Sequence, residues 1–281
     1  MPLELLDSLS LPADAEKPNE DAFGNAVNAA VVFDGATGLG GQLMPGASDA
    51  AWLASFGARR LMAHMRDGDA PKDALQHALA DAEKSFLGLR RRAPVEKYEI
   101  PYAAMMFVAE TDSGFEAFWF GDCGLIVKTP DAPAQIIGDG FEKRAAEAKR
   151  AAALSAQTGV SSTIGVNRPH ILPALRAARN RMNGPGGWAF GPDTRAAKHV
   201  ATKSLTLPVG TQLLLASDGF LAIGGDYGCY DIEGLVAAIQ NEGLESVGRD
   251  LRAIEEKDPE GARFPRFKKN DDATAVLLRV T

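Results

Sequence analysis

Strands and helices are segregated along this 281-residue sequence instead of alternating, and this order restricts its fold more than any other feature. The patterning first predicts two strands (3–9 and 27–33) and two helices (48–66 and 72–91). A run of strands follows from residue 102, then two further helical stretches within 231–256 and a last strand at 273–280. Segregated elements are typical of α+β proteins, so we expect helices packed outside antiparallel sheets.

The region from about 139 to 195 has the least regular pattern. It contains an Ala-, Lys- and Arg-rich segment at 141–154, which predicts an exposed helix, and a short basic helix at 171–182. We find no internal repeat and no low-complexity linker. We therefore interpret the region as an insertion or flap within a single domain that spans residues 1–281.

Composition and charge exclude several classes of function. Lys and Arg number 30 and Asp and Glu number 37, so the net charge is −7, which disfavours nucleic-acid binding. Cys123 and Cys229 are too few for a disulfide framework or a zinc site. The first ten residues carry Glu4 and Asp7 and lack the basic start of a signal peptide. We expect a cytoplasmic protein with no membrane partner, since no apolar run approaches ~20 residues.

Carboxylates recur at the ends of apolar strands. The clusters are Glu20-Asp21, Asp34-Gly35, Asp218-Gly219 and Asp271-Asp272. A single aspartate at a strand end is usually a turn former. Four such clusters at one sheet edge repel one another unless cations neutralise them. Oxygen ligands without matching His or Cys predict Mg²⁺ or Mn²⁺, and two such ions can generate a hydroxide that attacks phosphorus. The four histidines (His64, His77, His170 and His199) show no metal-binding spacing, so we predict structural or exposed roles for them.

Five segments in order resemble the metal-dependent Ser/Thr protein phosphatases of type 2C (PPM), bacterial-type members included. They are Asn19–Ala22 (NEDA), Val32–Gly35 (VFDG), Phe120–Gly124 (FGDCG), Leu215–Gly219 (LASDG) and Asp271–Val276 (DDATAV). The resemblance implies a four-layer αββα sandwich of two antiparallel sheets flanked by helix pairs. It also implies hydrolysis of phosphoserine and phosphothreonine on proteins, through a hydroxide that bridges two Mg²⁺ or Mn²⁺ ions.

The resemblance further implies roles for individual residues. Asp34 would bridge both metals and would be catalytic together with Asp218. The second metal would also take Glu20 and the Gly35 carbonyl, and the first would take Asp218 and Asp271. Two further acids complete the implied set: Asp21 would orient metal-bound water, and Asp122 would hold a weaker third ion.

Three departures from the family pattern concern the phosphate and the acids. Glu16 stands where the family often has a phosphate-binding arginine. Lys17 is the first candidate replacement, as a catalytic and substrate-binding point charge. Arg176 and Arg179 on the short basic helix are the other candidates, although a solvated face is the alternative interpretation. The other two departures replace a histidine by Ala36 and an acid by Ala222, for which Asp226 could substitute.

Three functions remain open at this point. The first is a protein phosphatase acting on phosphorylated proteins, and the second is a phosphohydrolase for a small phosphorylated metabolite. The third is a catalytically weak regulatory or binding domain on the same fold, which Glu16 favours and the retained acids disfavour. The sequence leaves the substrate, the cognate kinase and the oligomeric state open.

Overall fold

The computed structural model of this protein describes residues 2–140, 168–266 and 268–281. Within these ranges, ten strands form two five-stranded sheets in which every neighbouring pair is antiparallel. The first sheet has the spatial order β1 (Leu3–Leu11), β10 (Ala273–Val280), β9 (Gln212–Ala216), β6 (Gly124–Lys128) and β7 (Gln135–Ile137). The second sheet has the order β2 (Asp21–Ala26), β3 (Ala29–Gly35), β4 (Ala103–Thr111), β5 (Gly114–Phe120) and β8 (Ala201–Leu205).

Helices cover the outer faces of both sheets, which confirms the predicted four-layer αββα sandwich. The helices α1 (Asp49–Arg66) and α2 (Pro71–Leu89) pack on the second sheet. The first sheet is covered by α4 (Asp218–Gly225), α5 (Ile232–Glu242) and α6 (Leu244–Lys257), one helix more than the expected pair. The short α4 was not predicted, because its eight residues merge in the sequence with the apolar end of β9. The remaining helix, α3 (Arg168–Arg179), lies in the predicted flap region.

The apolar strand β3 is buried on both faces, as its continuous apolar run predicts. Val31 and Phe33 face the helices, whereas Ala30 and Val32 face the opposite sheet. The strand starts at Ala29, two residues after the predicted position, because Val27 lies in the turn after β2 and is 71% exposed. Strand β2 itself was missed, since Gly24 and Asn25 interrupt its apolar pattern.

The described end of the predicted flap is attached to the second sheet. Ala103 and Phe190 exchange two backbone hydrogen bonds, of 2.9 and 3.1 Å. The Phe190 ring packs against Phe33, with 4.8 Å between the ring centroids. The helix predicted at 141–154 lies outside the described residues. Across the ranges that the structure covers, no helix combines the length and hydropathy needed to cross a bilayer.

Candidate metal and phosphate site

Two acids of the second sheet lie side by side at one edge. Strands β2 and β3 are antiparallel, and their register pairs Asp21 at the start of β2 with Asp34 near the end of β3. The next residue, Gly35, donates its backbone N–H to the Glu20 carbonyl over 3.0 Å. A Cβ at Gly35 would lie 2.6 Å from that carbonyl oxygen and 2.8 Å from the Ala50 carbonyl oxygen. Only glycine fits this approach, which holds the Glu20–Asp21 segment against the end of β3.

The first sheet brings its acids to the same edge through Ser217. Asp218 follows β9, and Asp271 precedes β10. The Ser217 hydroxyl donates to Asp21 Oδ2 over 2.7 Å and accepts from the Thr274 N–H over 2.9 Å. This buried hydroxyl therefore connects the edge of one sheet to the edge of the other.

Asp272 fixes the loop that carries Glu20. One of its carboxylate oxygens accepts from the Ala13 N–H over 2.6 Å, and the other accepts from the Glu20 N–H over 2.7 Å. Both oxygens of Asp272 therefore bind backbone groups of the β1–β2 connection. We assign Asp272 a structural role beside the candidate ligand Asp271.

The charges of the clustered acids act on one another. Burial raises the pKa of Asp34 well above its usual value, and the carboxylates of Asp218, Asp21, Asp271 and Asp122 raise it further. Burial also raises the pKa of Asp21 well above its usual value, and this outweighs the opposing hydrogen bond from Ser217. The charges of five predicted aspartates therefore act on one another: Asp21, Asp34, Asp218 and Asp271, together with Asp122 from the β5–β6 turn.

The donor set fits hard divalent cations. Asp21 is buried, and its Oδ1 accepts no hydrogen bond from any described residue. An unsatisfied carboxylate oxygen among mutually repelling carboxylates is costly unless a cation neutralises the group. Carboxylate and carbonyl oxygens are the ligands that Mg²⁺ and Mn²⁺ prefer. The Gly35 carbonyl and the acids around Asp34 thus fit the ligand preferences of the predicted ions.

Lys268 is a cation at this site that sequence reasoning missed. Its Nζ donates to Asp271 Oδ1 over 2.6 Å. Desolvation acts to lower the pKa of Lys268, but the carboxylates of Asp271, Asp34 and Asp218 outweigh it and raise the pKa. The position three residues before Asp271 was the available signal. The ammonium offsets part of the negative charge of the cluster.

Glu20 is held by two hydroxyl groups. Thr37 Oγ1 donates to Glu20 Oε2 over 2.6 Å, and Ser48 Oγ donates to Oε1 over 2.5 Å. Ser48 also caps α1, as predicted, by accepting from the Ala51 N–H over 3.2 Å. The start of α1 is therefore connected to the loop of the acid cluster.

The three candidate phosphate-binding cations have different surroundings. The Lys17 side chain is 74% exposed and pairs with Asp14 at 3.5 Å. Arg176 donates from Nε to the Leu39 carbonyl over 2.8 Å, and its guanidinium lies 4.6 Å from the centroid of the Tyr98 ring. The exposed ion pair of Lys17 is typical of a surface residue, and the two contacts of Arg176 are typical of a structural residue.

Arg179 differs from the other two candidates. It is half-buried at the end of α3, and burial lowers the pKa of its guanidinium, while Tyr102 and Glu20 oppose that shift. Among the described residues, its side chain has no hydrogen bond or ion pair. Its charge interacts with the Glu20 carboxylate, and no described carboxylate forms an ion pair with it.

Two further residues follow cluster acids in the sequence. Asp226 comes directly after the last residue of α4, eight residues after Asp218, and its replacement of the acid expected at Ala222 stays a prediction. Cys123 is fully buried, and burial raises the pKa of its thiol well above the usual value, with Asp34 and Asp122 adding to the effect. The cysteine is a packing residue, as expected.

Similar proteins were found only among solved structures. No protein-family model matches the sequence, and no curated protein sequence matches it significantly. The structure is similar to the PPM Ser-Thr phosphatase MsPP from Mycobacterium smegmatis, with 17% identity, a TM-score of 0.56, and coverage of 99% of this chain and 100% of that chain. It is also similar to the serine/threonine phosphatase PstP/Ppp from Mycobacterium tuberculosis, with 12% identity, a TM-score of 0.57, and coverage of 100% and 99%.

A third similar structure is the catalytic domain of the serine threonine protein phosphatase PstP in complex with two manganese ions. It has 13% identity and a TM-score of 0.56, and the match covers 99% of this chain and 100% of that chain. All three matches extend over nearly the whole of both chains. At these identities the likeness establishes the fold.

Proposed function

We propose that this chain, which has the fold of the PPM phosphatases along nearly its whole length, is a metal-dependent phosphatase acting on phosphoserine and phosphothreonine of proteins. The observation that carries the proposal is the convergence of carboxylates from both sheets at one edge. Asp21 and Asp34 come from the second sheet, and Asp218 and Asp271 come from the first. Their repulsion and the unsatisfied Asp21 Oδ1 indicate a site that binds cations.

We carry the metal ligands over from the resemblance to the type 2C phosphatases. Asp34 would contact both ions, with Asp218 and Asp271 on the first and the Gly35 carbonyl and Glu20 on the second. When bound, two divalent ions supply neutralisation of phosphoryl charge and activation of a water nucleophile. Manganese is supported by the PstP catalytic domain, whose structure contains two manganese ions.

The protein's own groups would position the water and the ions. Ser217 holds one oxygen of Asp21, so that the other oxygen, Oδ1, is left to accept a hydrogen bond from the attacking water. Thr37 and Ser48 each hold one oxygen of Glu20 and would orient this carboxylate toward the second ion. Lys268 holds Asp271 through Oδ1 and would share this carboxylate with the first ion, since each carboxylate oxygen has two lone pairs.

Arg179 is our first choice for binding the substrate phosphate. A half-buried guanidinium with no carboxylate partner among the described residues can form two charge-assisted hydrogen bonds to a phosphate. Lys17, the alternative, is a strongly exposed point charge already paired with Asp14. We therefore propose Arg179 in place of the arginine that the family often has at the position of Glu16.

Hydrolysis of an aryl phosphate across a Mn²⁺ titration tests the proposal. We expect metal-dependent turnover that Asp34→Asn and Asp218→Asn abolish. Asp112→Asn, at an exposed turn between β4 and β5, is the matched control and should behave as wild type. Absence of turnover in the wild-type protein at every Mn²⁺ concentration would assign the chain to the non-catalytic alternative.

A second comparison then separates the two enzymatic functions. Phosphoserine and phosphothreonine peptides are compared with small phosphorylated metabolites at saturating Mn²⁺. A higher kcat/KM for the peptides supports a protein phosphatase. A higher kcat/KM for a metabolite would replace that substrate class and leave the metal site intact.

A further inference from the structure

A second group of potential metal ligands lies where α1 turns into α2. His64 belongs to the last turn of α1, Asp69 to the connecting loop, and His77 to α2. Asp69 Oδ2 is 3.2 Å from His64 Nδ1 and 2.7 Å from His77 Nδ1. One ligand atom from each of the three residues lies within 4.8 Å of the other two.

A neutral His64 can satisfy only one of its two carboxylate contacts. Its Nε2 lies 2.9 Å from Asp81 Oδ2, while its Nδ1 faces Asp69 Oδ2. A neutral imidazole has a single N–H, so if Nε2 donates to Asp81, the Nδ1 lone pair points at an oxygen lone pair of Asp69. Either a second proton on the ring or a metal cation between Nδ1 and Asp69 removes this unfavourable contact.

We propose that His64, Asp69 and His77 form a binding site for one divalent transition-metal ion of the zinc class. Imidazole nitrogen with carboxylate oxygen favours Zn²⁺ over Mg²⁺. Metal–ligand bonds of about 2.0–2.2 Å in a tetrahedral site place neighbouring donors about 3.3–3.6 Å apart. The His64–Asp69 separation of 3.2 Å is close to this range, whereas the His77–Asp69 separation of 2.7 Å must lengthen by about 0.6–0.9 Å through rotation of the exposed His77 side chain. The fourth position is left for water.

Asp81 has the position of an outer partner of this site. Zinc-bound histidines usually donate their second ring N–H to a carboxylate, which fixes the tautomer and the ring orientation. In the tautomer with the proton on Nε2, His64 donates to Asp81 in this way, and Asp81 is itself held by Arg60, whose Nε and guanidinium NH₂ each lie 2.6 Å from Asp81 Oδ2. His64 is thus oriented with Nδ1 toward Asp69. His77, whose side chain is 53% exposed, leaves the site open to solvent.

The site is separate from the acid cluster. Ser48, the cap of α1, contacts Glu20 at the cluster, and His64 lies sixteen residues further along the same helix. That spacing corresponds to about 24 Å along the helix axis. A bound ion would join the end of α1, the loop and the beginning of α2, so the expected effect is stabilisation of this helix pair.

Zinc titration calorimetry on the full chain, stripped of metals and then saturated with Mg²⁺, tests the inference. The titration is performed on the Asp218→Asn variant as well as on wild type, so that binding at the acid cluster is removed. We expect one His77-dependent Zn²⁺ per chain in both proteins, and any further Zn²⁺ bound by the wild type at the acid cluster should be reduced in Asp218→Asn. His77→Ala, at a half-exposed position, should abolish that binding. Asp81→Asn should weaken it about 10- to 100-fold, as for other outer partners.

His199→Ala is the matched histidine control, since this imidazole stacks on Trp188 outside the site. It should bind Zn²⁺ as wild type does. Zinc binding that survives His77→Ala, or that disappears in Asp218→Asn, would overturn the inference and leave His64, Asp69 and His77 as a hydrogen-bonded surface cluster. The Asp218→Asn variant also separates the two sites. Zn²⁺ binding at His64, Asp69 and His77 is measured there without phosphatase activity, so it can succeed or fail independently of the proposed function.

Discussion

Replacing Arg179 with alanine removes the candidate phosphate-binding cation whose charge interacts with Glu20. Two unit charges about 4 Å apart at an effective dielectric constant near 20 interact by about 4 kcal/mol. Removing a hydrogen bond to a charged group costs about 1.5–3 kcal/mol. We therefore expect a loss of about 2–4 kcal/mol of transition-state stabilisation, which lowers kcat/KM about 30- to 1,000-fold.

The effect on folding should be much smaller. Arg179 is half-buried, and its side chain makes no hydrogen bond or ion pair with another described residue. Its removal also ends the desolvation of the guanidinium. We expect the free energy of unfolding to change by less than about 1 kcal/mol. Activity and stability are thus predicted to separate in this variant.

The assay is kcat/KM for an aryl phosphate and for a phosphopeptide at saturating Mn²⁺, with urea unfolding as the stability measurement. Lys17→Ala removes an exposed ion pair and should change kcat/KM less than about fivefold. Arg176→Ala removes the contacts with Leu39 and Tyr98, so it should lower the free energy of unfolding by about 1–2 kcal/mol. Its effect on kcat/KM should be smaller than this loss of stability. Arg179→Lys should restore part of the activity, because lysine keeps the charge and loses bidentate bonding.

Three outcomes would contradict the reasoning about Arg179. An Arg179→Ala variant within fivefold of wild type on both substrates would exclude it from phosphate binding. A loss confined to the phosphopeptide would indicate that α3 binds the peptide and not the phosphate. A large loss in Lys17→Ala with Arg179→Ala unaffected would transfer the role to Lys17.

Three further predictions concern the metal cluster and the stability of the fold. Asp34→Asn should abolish the rise in melting temperature that Mn²⁺ produces in the wild type, a stabilisation of about 2.7 kcal/mol per ion at 100 times Kd; an unchanged rise in thermal melts would exclude Asp34 as a ligand. Asp122→Ala should lower kcat while calorimetry still shows two bound Mn²⁺ ions, and unchanged turnover across the titration would remove Asp122 from the site. Glu99 forms a bidentate ion pair with Arg92, at 2.7 and 2.8 Å, and this contact with the bond from the Val95 N–H lowers the pKa of Glu99 from 4.5 to about 2. A carboxylate whose pKa is lower in the folded state stabilises the fold at pH values above its unfolded pKa, and this stabilisation is lost as the pH falls through its folded pKa. Glu99→Gln should therefore cost about 1–3 kcal/mol of unfolding free energy at pH 7 and progressively less from pH 4.5 toward 2. A cost that does not vary with pH in urea unfolding would refute this explanation.

The sequence patterning predicted helices packed outside antiparallel sheets and acids at strand ends, and the resemblance to the type 2C phosphatases implied the four layers. Period-2 and period-3.6 patterns are local, and a carboxylate that ends an apolar strand is placed at a sheet edge by the strand itself. Asp34 and Asp218 could therefore be assigned to an edge before the strands were paired. Strand β2 and helix α4 were missed, because their patterns are short and are interrupted or merged with a neighbour.

Tertiary structure decided which charged side chains lie together. The sequence favoured Lys17 over Arg179, but packing exposes Lys17 and half-buries Arg179, whose charge interacts with Glu20. Likewise, His64 and His77 have no metal-binding spacing, yet the antiparallel return of α2 along α1 places their rings 5.3 Å apart. Contacts of this kind depend on how elements pack, and residues distant in sequence meet only after both helices have buried their apolar faces.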